Sequence, residues 1–304
     1  MEPKKPRKKS SRTLELFPVY PRKVHVVSVE DITPGMRRIV FAGELREHQR
    51  QGHTIPAIRS WGYDDDARLI FPDPTTGELP EVTLSDEGKM QWLPHLKQLF
   101  RTYTVREIIR DTAGQPTQVV VDFARHGSGL AENWSATAEP GDEIWMVGPK
   151  ACRTHPAHRD WLLLCGDATE IPAISRCLEE FANSEDPKLR ELSVIAIVDA
   201  AEPAHEYALA HSAATELRWV FRSEGQSFAT AVAELFAGSD GALTLPEGAG
   251  FVWAAGEKSD LKQVRQVLNE FQGATADDTQ STDAPATTLA AEDIEFHGYW
   301  KADG

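Results

Sequence analysis

The chain has 304 residues, with 32 Lys and Arg against 47 Asp and Glu and a formal net charge of −15 at pH 7, which excludes a basic nucleic-acid-binding domain as its main role. At roughly 150 residues per domain the length predicts two domains, and 41% hydrophobic with 26% charged residues is the composition of an ordinary globular protein. No apolar run approaches the roughly 20 residues that cross a bilayer, so no integral membrane segment is predicted.

The first twelve residues carry six basic side chains, Lys4, Lys5, Arg7, Lys8, Lys9 and Arg12, against one acid. Leu14-Glu15-Leu16-Phe17-Pro18 follows with no long apolar region, so residues 1–17 read as a basic flexible tail and not as a secretory signal. From 18 to 150 the pattern is short alternating strands: 24–29, 37–41, 68–71, 103–109, 119–123 and 143–147, with Pro, Gly and Asp between them. That spacing predicts an antiparallel β-barrel or sandwich, with a long loop over Arg46–Asp66.

After Pro149 the pattern changes. Trp161-Leu162-Leu163-Leu164-Cys165 is a continuous apolar run, followed by helical spacing at Ile171, Ile174, Leu178 and Phe181. Further runs at 194–198, 217–221 and 251–255 end in Asp199, Arg222 and Gly256-Glu257, and Leu261, Val264, Leu268 and Phe271 mark a closing helix. Doubly apolar strands alternating with amphipathic helices predict a parallel sheet over 151–272, whose ligands sit beyond the carboxyl ends of its strands. Residues 273–293 read as an acidic linker, and the aromatic segment 294–304 as a piece that docks back, either as an edge strand or as part of a site. Three cysteines, Cys152, Cys165 and Cys177, with no CxxC pair, place the protein in a reducing compartment, the cytoplasm.

Two motifs carry chemistry. Arg101-Thr102-Tyr103-Thr104-Val105-Arg106 offers a guanidinium for pyrophosphate, an aromatic face for a flavin and a hydroxyl near the ring's reactive nitrogen. Val121-Asp122-Phe123-Ala124-Arg125-His126-Gly127-Ser128-Gly129 runs from a strand through a glycine turn into a short helix, whose N-terminal N–H groups can bind phosphate. His155-Pro156-Ala157-His158 has no carboxylate or cysteine companion, and no metal site is predicted.

Together with Thr33-Pro34-Gly35-Met36-Arg37-Arg38, the run from Pro140-Gly141-Asp142 to Gly148-Pro149, LLLCGDATEIPAI, Val252-Trp253-Ala254-Ala255-Gly256-Glu257 and Gly298-Tyr299-Trp300-Lys301, these motifs resemble the siderophore-interacting protein family, FAD-dependent ferric-siderophore reductases of the ferredoxin-reductase-like superfamily. The resemblance implies FAD on the barrel, NADPH or NADH on the parallel sheet, and a ferric siderophore over the flavin edge. The implied FAD residues are Arg101, Tyr103, Thr104, Arg106, Asp122, His126, Gly127, Ser128, Gly129 and Ala131, with Tyr103 and Thr104 nearest the chemistry. The implied nucleotide residues are Gly166, Asp167, Thr169, Arg222, Gly256 and Glu257, and the substrate candidates are Lys150, Trp300 and Lys301. Arg218 and Arg222 would favour the 2′-phosphate of NADPH while Asp199 would repel it, and the balance leans to NADPH. The chain departs from the family in Gly166-Asp167-Ala168-Thr169-Glu170, where the acid of GDETA is displaced, and in His126-Gly127-Ser128-Gly129-Leu130-Ala131, which is shorter than HGxxGPA and lacks its proline. Two other readings fit these motifs: a flavin-dependent oxidoreductase with flavin or ferredoxin as acceptor, and a siderophore-binding protein without turnover. The oligomeric state is open.

Overall fold

The structure is a computed structural model that describes residues 10–125, 127, 129–239, 241, 243–277 and 287–300, with the backbone alone at 275–277, 299 and 300. It divides into two compact units: Leu14–Thr154, and the chain from His155 onward together with the residues up to Thr13.

In chain order the Leu14–Thr154 unit contains β1 (Leu14–Leu16), β2 (Pro21–Thr33), β3 (Met36–Gly43), β4 (His48–Arg50), β5 (His53–Ile55), β6 (Asp66–Ile70), α1 (Leu96–Leu99), β7 (Phe100–Thr104), β8 (Glu107–Arg110), β9 (Pro116–Ala124), α2 (Leu130–Thr137), β10 (Glu143–Val147) and β11 (Ala151–Arg153). Seven of these strands form one sheet in the order β7-β6-β10-β2-β3-β9-β8, and every pairing in it is antiparallel. Its end strands, β7 and β8, are separated in sequence by Val105 and Arg106 alone. The sheet therefore has to curl until its ends approach, which gives the expected barrel.

The same two residues correct one sequence expectation. The run 103–109 is two strands, because the Val105 N–H donates to the Asp65 carbonyl at 2.9 Å while the Arg106 N–H donates to the Val120 carbonyl at 3.0 Å. The chain there crosses from one end of the sheet to the other. Inside, Ile39, Phe41, Leu69, Val121, Phe123 and Met146 are at most 1% exposed. The Trp134 ring of α2 packs against Phe41, Phe71 and Phe123 at centroid distances of 6.3, 5.1 and 6.3 Å, fixing the helix on the barrel core. Each buried aromatic contributes about 1.5–3 kcal/mol.

The other unit contains β12 (Trp161–Gly166), α3 (Ile171–Ala182), α4 (Pro187–Glu191), β13 (Ser193–Ala200), β14 (Thr215–Phe221), α5 (Phe228–Phe236), β15 (Gly250–Glu257), α6 (Lys258–Asp277) and β16 (Ile294–Trp300). Its five strands are ordered β14-β13-β12-β15-β16, and all pairings are parallel. Every residue of β12 and β15 is buried, as continuous apolar runs require when both sheet faces are covered. Trp161, Leu163 and Cys165 join Val232, Leu235, Val264 and Leu268 in the core beneath α5 and α6. Leu162 and Leu164 alternate to the opposite face. Helix α5 was not anticipated, although Ser227 caps it through the Thr230 N–H and the apolar positions Phe228, Ala231, Val232 and Leu235 have helical spacing.

Parts of the expected tail and of the expected linker belong to regular structure. Within the expected flexible tail, Leu14–Leu16 pairs with β11, and Arg12, 3% exposed, donates to Glu295 of β16 at 2.9 Å. Within the expected linker, α6 continues to Asp277, and Thr288 exchanges backbone hydrogen bonds with Gly248 and Gly250, each 2.9 Å. Of the two alternatives for the C-terminal segment, Ile294–Trp300 is an edge strand parallel to β15.

Candidate functional site

On the Leu14–Thr154 unit, β7 presents the first expected set. Only β6 pairs with β7 in the sheet, so its other edge has unpaired backbone groups. Arg101 is exposed, and its guanidinium donates to the carbonyls of Gln98 at 3.3 Å and Phe100 at 2.8 Å. Among the described residues it has no carboxylate partner, so its charge remains available to an anion. Tyr103 packs on Phe123 with ring centroids 4.4 Å apart, and burial pushes its phenol well above the ordinary range. Its role is therefore that of a neutral ring. Thr104 is 9% exposed, and its hydroxyl makes no hydrogen bond to the described residues.

Helix α2 begins close by. Gly129 precedes it without a side-chain cap, which leaves the first-turn N–H groups of Leu130, Ala131 and Glu132 without intrahelical partners. Gly127 and Gly129 have φ of +103° and +130°, and a Cβ on either would meet no atom within 4 Å. The backbone is thus open on that side and adopts a conformation that only glycine takes readily. Glu132 accepts the Gly127 N–H at 2.7 Å, fixing the turn. A capless helix start, two open glycines and an unneutralised guanidinium form a set of donors that fits a pyrophosphate. His126 and Ser128 lie outside the described residues.

Two members of the expected set do other work. Asp122 and Arg38 are cross-strand partners, and their bidentate pair at 2.7 and 2.8 Å is joined by Arg106 at 3.7 Å from the same carboxylate. Asp122 and Arg106 are 3% and 5% exposed. Burial with a charged partner makes them a brace across the barrel. The brace was not visible in sequence because Arg38 and Asp122 are far apart in the chain.

On the other unit, Gly166, Asp167, Thr169, Gly256 and Glu257 do come together, at the carboxyl ends of β12 and β15. The Asp167 carboxylate accepts the Glu257 N–H at 2.8 Å, the Thr169 N–H at 2.9 Å and the Thr169 hydroxyl at 2.6 Å. Gly256 has φ +133°, and a Cβ there would fall 2.5 Å from Asp167 Oδ2; one on Gly166 would fall 2.7 Å from the Ala255 carbonyl. Glu257 accepts the Ser259 N–H at 2.5 Å and the Ser259 hydroxyl, holding the first turn of α6. Both acids are nearly buried, at 5% and 6%. They shape the floor at the carboxyl ends of β12 and β15, where parallel sheets take their ligands, and the surface left there is backbone, glycine and the half-buried Thr169.

Arg222, expected at the 2′-phosphate, sits between two carboxylates. Its Nε donates to Asp199 Oδ1 at 2.8 Å, and Nη2 lies 2.7 Å from Asp199 Oδ2 and 2.6 Å from Asp260 Oδ2. Asp199 also accepts the Phe228 N–H at 3.0 Å, fastening the start of α5. Burial pushes Asp199 up to about 6, against the opposing pull of Arg222. Sequence reasoning named Asp199 and Arg222 as opposed signals, whereas the structure joins them as partners and adds Asp260. Arg218, the other arginine of that argument, pairs with Glu234 at 3.1 Å.

The remaining candidates scatter. Lys150 is exposed, the Trp300 backbone lies in β16 opposite Glu257, and Lys301 lies outside the described residues. His155 pairs with Glu180 at 3.2 Å and packs edge-on against Phe181, a docked position on α3. Cys152, Cys165 and Cys177 are buried, and none is in a disulfide.

With this geometry in hand, the relatives decide the family. Residues 25–153 match the siderophore-interacting FAD-binding domain and residues 159–283 the siderophore-interacting protein domain. A solved siderophore utilization protein from T. fusca is 30% identical, with 96% of this chain and 97% of that one covered and a TM-score of 0.73. The chain belongs to the siderophore-interacting protein family. Its Leu14–Thr154 unit is the FAD-binding domain of that family, and its parallel-sheet unit the nucleotide domain. Among curated relatives of this siderophore-interacting protein are an NADPH-dependent ferric-chelate reductase of Escherichia coli, 27% identical over 80% of this chain and 84% of that protein, and ferric vibriobactin reductase ViuB of Vibrio cholerae, 26% identical over 85% and 87%. A ferredoxin reductase of carbazole 1,9a-dioxygenase shares the fold at 10% identity and TM-score 0.58.

Proposed function

We propose that this siderophore-interacting protein is an FAD-containing, NAD(P)H-dependent reductase of ferric siderophores, releasing iron as Fe(II) in the cytoplasm. The observation that carries the reading is the donor set on the barrel unit, where the unneutralised Arg101 accompanies a helix start that has no side-chain cap and follows two open glycines; the relatives named as ferric-chelate and ferric vibriobactin reductases support the acceptor. FAD, when bound, supplies the conversion between the two-electron hydride of a nicotinamide and the one-electron reduction of Fe(III). Arg101 holds a phosphate of the cofactor, as do the N–H groups of Leu130 and Ala131. Tyr103, kept neutral by burial, offers its ring as a packing face, and the Thr104 hydroxyl has a hydrogen bond to give. On the other unit the floor made by Gly166, Gly256 and the inward-turned Asp167 allows a nucleotide close approach to backbone, and Thr169 is its nearest side chain. Reduction also explains release, since hard oxygen donors hold Fe(II) less tightly than Fe(III).

Three buried cysteines, none in a disulfide, are consistent with a reducing compartment, and among the described residues no helix is long and apolar enough to cross a membrane. The test is anaerobic: the purified protein should show a flavin spectrum, lose it on addition of NADPH or NADH, and regain it with a ferric siderophore while a chromogenic chelator captures Fe(II).

A further inference from the structure

On the barrel unit, a short segment presents aromatic surface and positive charge to solvent next to Thr104. Trp61 is 39% exposed, its ring edge-on to Phe17 at a centroid distance of 5.0 Å and 84°. Arg59 lies over the same Phe17 ring at 5.8 Å, and the Phe17 N–H donates to the Lys150 carbonyl at 2.8 Å. Both Arg59 and Lys150 are exposed, and among the described residues neither has a carboxylate partner. In a chain of net charge −15 two unneutralised cations beside an exposed indole are a local exception, and a ligand responds to that near field.

The segment is held rigidly. Asp65, 2% exposed, accepts the Ser60 hydroxyl at 2.8 Å, the Trp61 N–H at 2.8 Å and the Gly62 N–H at 2.9 Å, and burial together with this carboxylate pushes the Cys152 thiol up to about 12. The Asp65 carbonyl binds the Val105 N–H, and Asp66 is the register partner of Thr104. Trp61 is thus tied through one residue to the strand end that carries Thr104. Preorganised aromatic surface loses little entropy on binding.

We propose that Arg59, Trp61, Phe17 and Lys150 form the docking surface for the iron chelate and that they select an anionic aromatic one, a catecholate, over a hydroxamate. A ferric tricatecholate carries three negative charges and three aromatic rings, matching two cations and an exposed indole, whereas a ferric trihydroxamate is neutral and non-aromatic. The site rests on the reading of the protein as a ferric-siderophore reductase.

Calorimetric titration of the FAD-loaded protein without NAD(P)H tests it, using the ferric complexes of a synthetic hexadentate tricatecholate, of oxalate (trianionic, non-aromatic) and of a trihydroxamate. Wild type should bind the tricatecholate most tightly. Trp61→Ala should weaken the tricatecholate about five- to tenfold and the trioxalate less than about twofold, since an aromatic pair is worth only that much, and Trp61→Phe should retain most of the affinity. Arg59→Gln should weaken both trianions and spare the trihydroxamate. Equal wild-type affinity for the three chelates, a parallel loss of both trianions in Trp61→Ala, or an Arg59→Gln effect independent of charge would overturn the site. Fe(II) capture with NADPH is read separately: this binding pattern without Fe(II) formation supports the site and removes the reductase reading, whereas reduction of all three chelates without the Trp61 and Arg59 pattern does the reverse.

Discussion

Asp167 at the end of β12 accepts the backbone N–H of Glu257 at the end of β15 at 2.8 Å, and Gly256 leaves room for that bond. A Cβ at Gly256 would stand 2.5 Å from the same carboxylate, at a φ of +133°. Gly256→Ala should therefore cost about 1–3 kcal/mol from strain and displacement of the carboxylate. It should also weaken nucleotide binding, because the floor between the two strands moves. Chemical denaturation and NAD(P)H titration measure the two effects; unchanged stability would show that the clamp is not needed.

Arg222 is neutralised by Asp199 and Asp260, so it is a poor receptor for a 2′-phosphate. Arg222→Ala should leave the ratio of kcat/KM for NADPH over NADH within about twofold while lowering Tm, because two carboxylates lose their partner. A collapse of the ratio toward NADH would return Arg222 to phosphate recognition.

The same cluster sets a pH dependence. Burial raises Asp199 from its ordinary 3.8 to about 6, so between these values the folded protein binds more protons at this group than the unfolded chain does. Its contribution to stability falls as pH rises through that window. Thermal melts from pH 4 to 7 should show wild type losing stability relative to Asp199→Asn as the pH climbs, with the difference levelling off above about 6. The opposite slope would mean that Arg222 outweighs burial.

Arg12 and Glu295 form a pair with side chains 0% and 8% exposed. Removing one partner of such a pair typically costs about 3–5 kcal/mol. Arg12→Ala should show a loss of this size in urea, whereas deletion of residues 1–9 should not. Equal stability of Arg12→Ala and wild type would mean that the N-terminal segment is not anchored.

The architecture was legible because both periodicities are strong. The doubly buried runs of β12 and β15 announce a parallel sheet, and the two-residue periods in β2 and β3 a half-buried antiparallel one. The break at Val105-Arg106 was not legible, since a β-branched residue followed by arginine reads equally well as uninterrupted strand, and only the closure of the barrel demands that the chain change partners there. Arg101, Tyr103 and Thr104 are legible as a group because they share one strand. The brace Arg38–Asp122–Arg106 and the cluster Asp199–Arg222–Asp260 are not, as their members meet only in space, so Asp122, Arg106 and Arg222 look like ligand groups until their partners are seen. Asp167 and Glu257 are legible as strand-end neighbours, but their inward orientation depends on backbone N–H groups, which sequence does not display.

Arg101 separates the cofactor reading from every structural use of β7, because among the described residues its guanidinium is bonded only to two backbone carbonyls. A charge-assisted phosphate contact is worth about 1.5–3 kcal/mol, so Arg101→Ala should weaken FAD by about ten- to a hundredfold while the apoprotein unfolds at the wild-type temperature. Unchanged FAD affinity would place the phosphate elsewhere.

Electron transfer from a nicotinamide through bound flavin to Fe(III) is the step on which the proposed function rests. The most direct measurement mixes the anaerobic FAD-loaded protein with NADPH or NADH and then with a ferric tricatecholate, following flavin absorbance and chromogenic Fe(II) capture together. The flavin should bleach in the first step and recover in the second, with about two Fe(II) formed per flavin reoxidised, as the electron count of a two-electron cofactor requires. A flavin that NAD(P)H does not bleach, or one whose reoxidation yields no Fe(II), would contradict it.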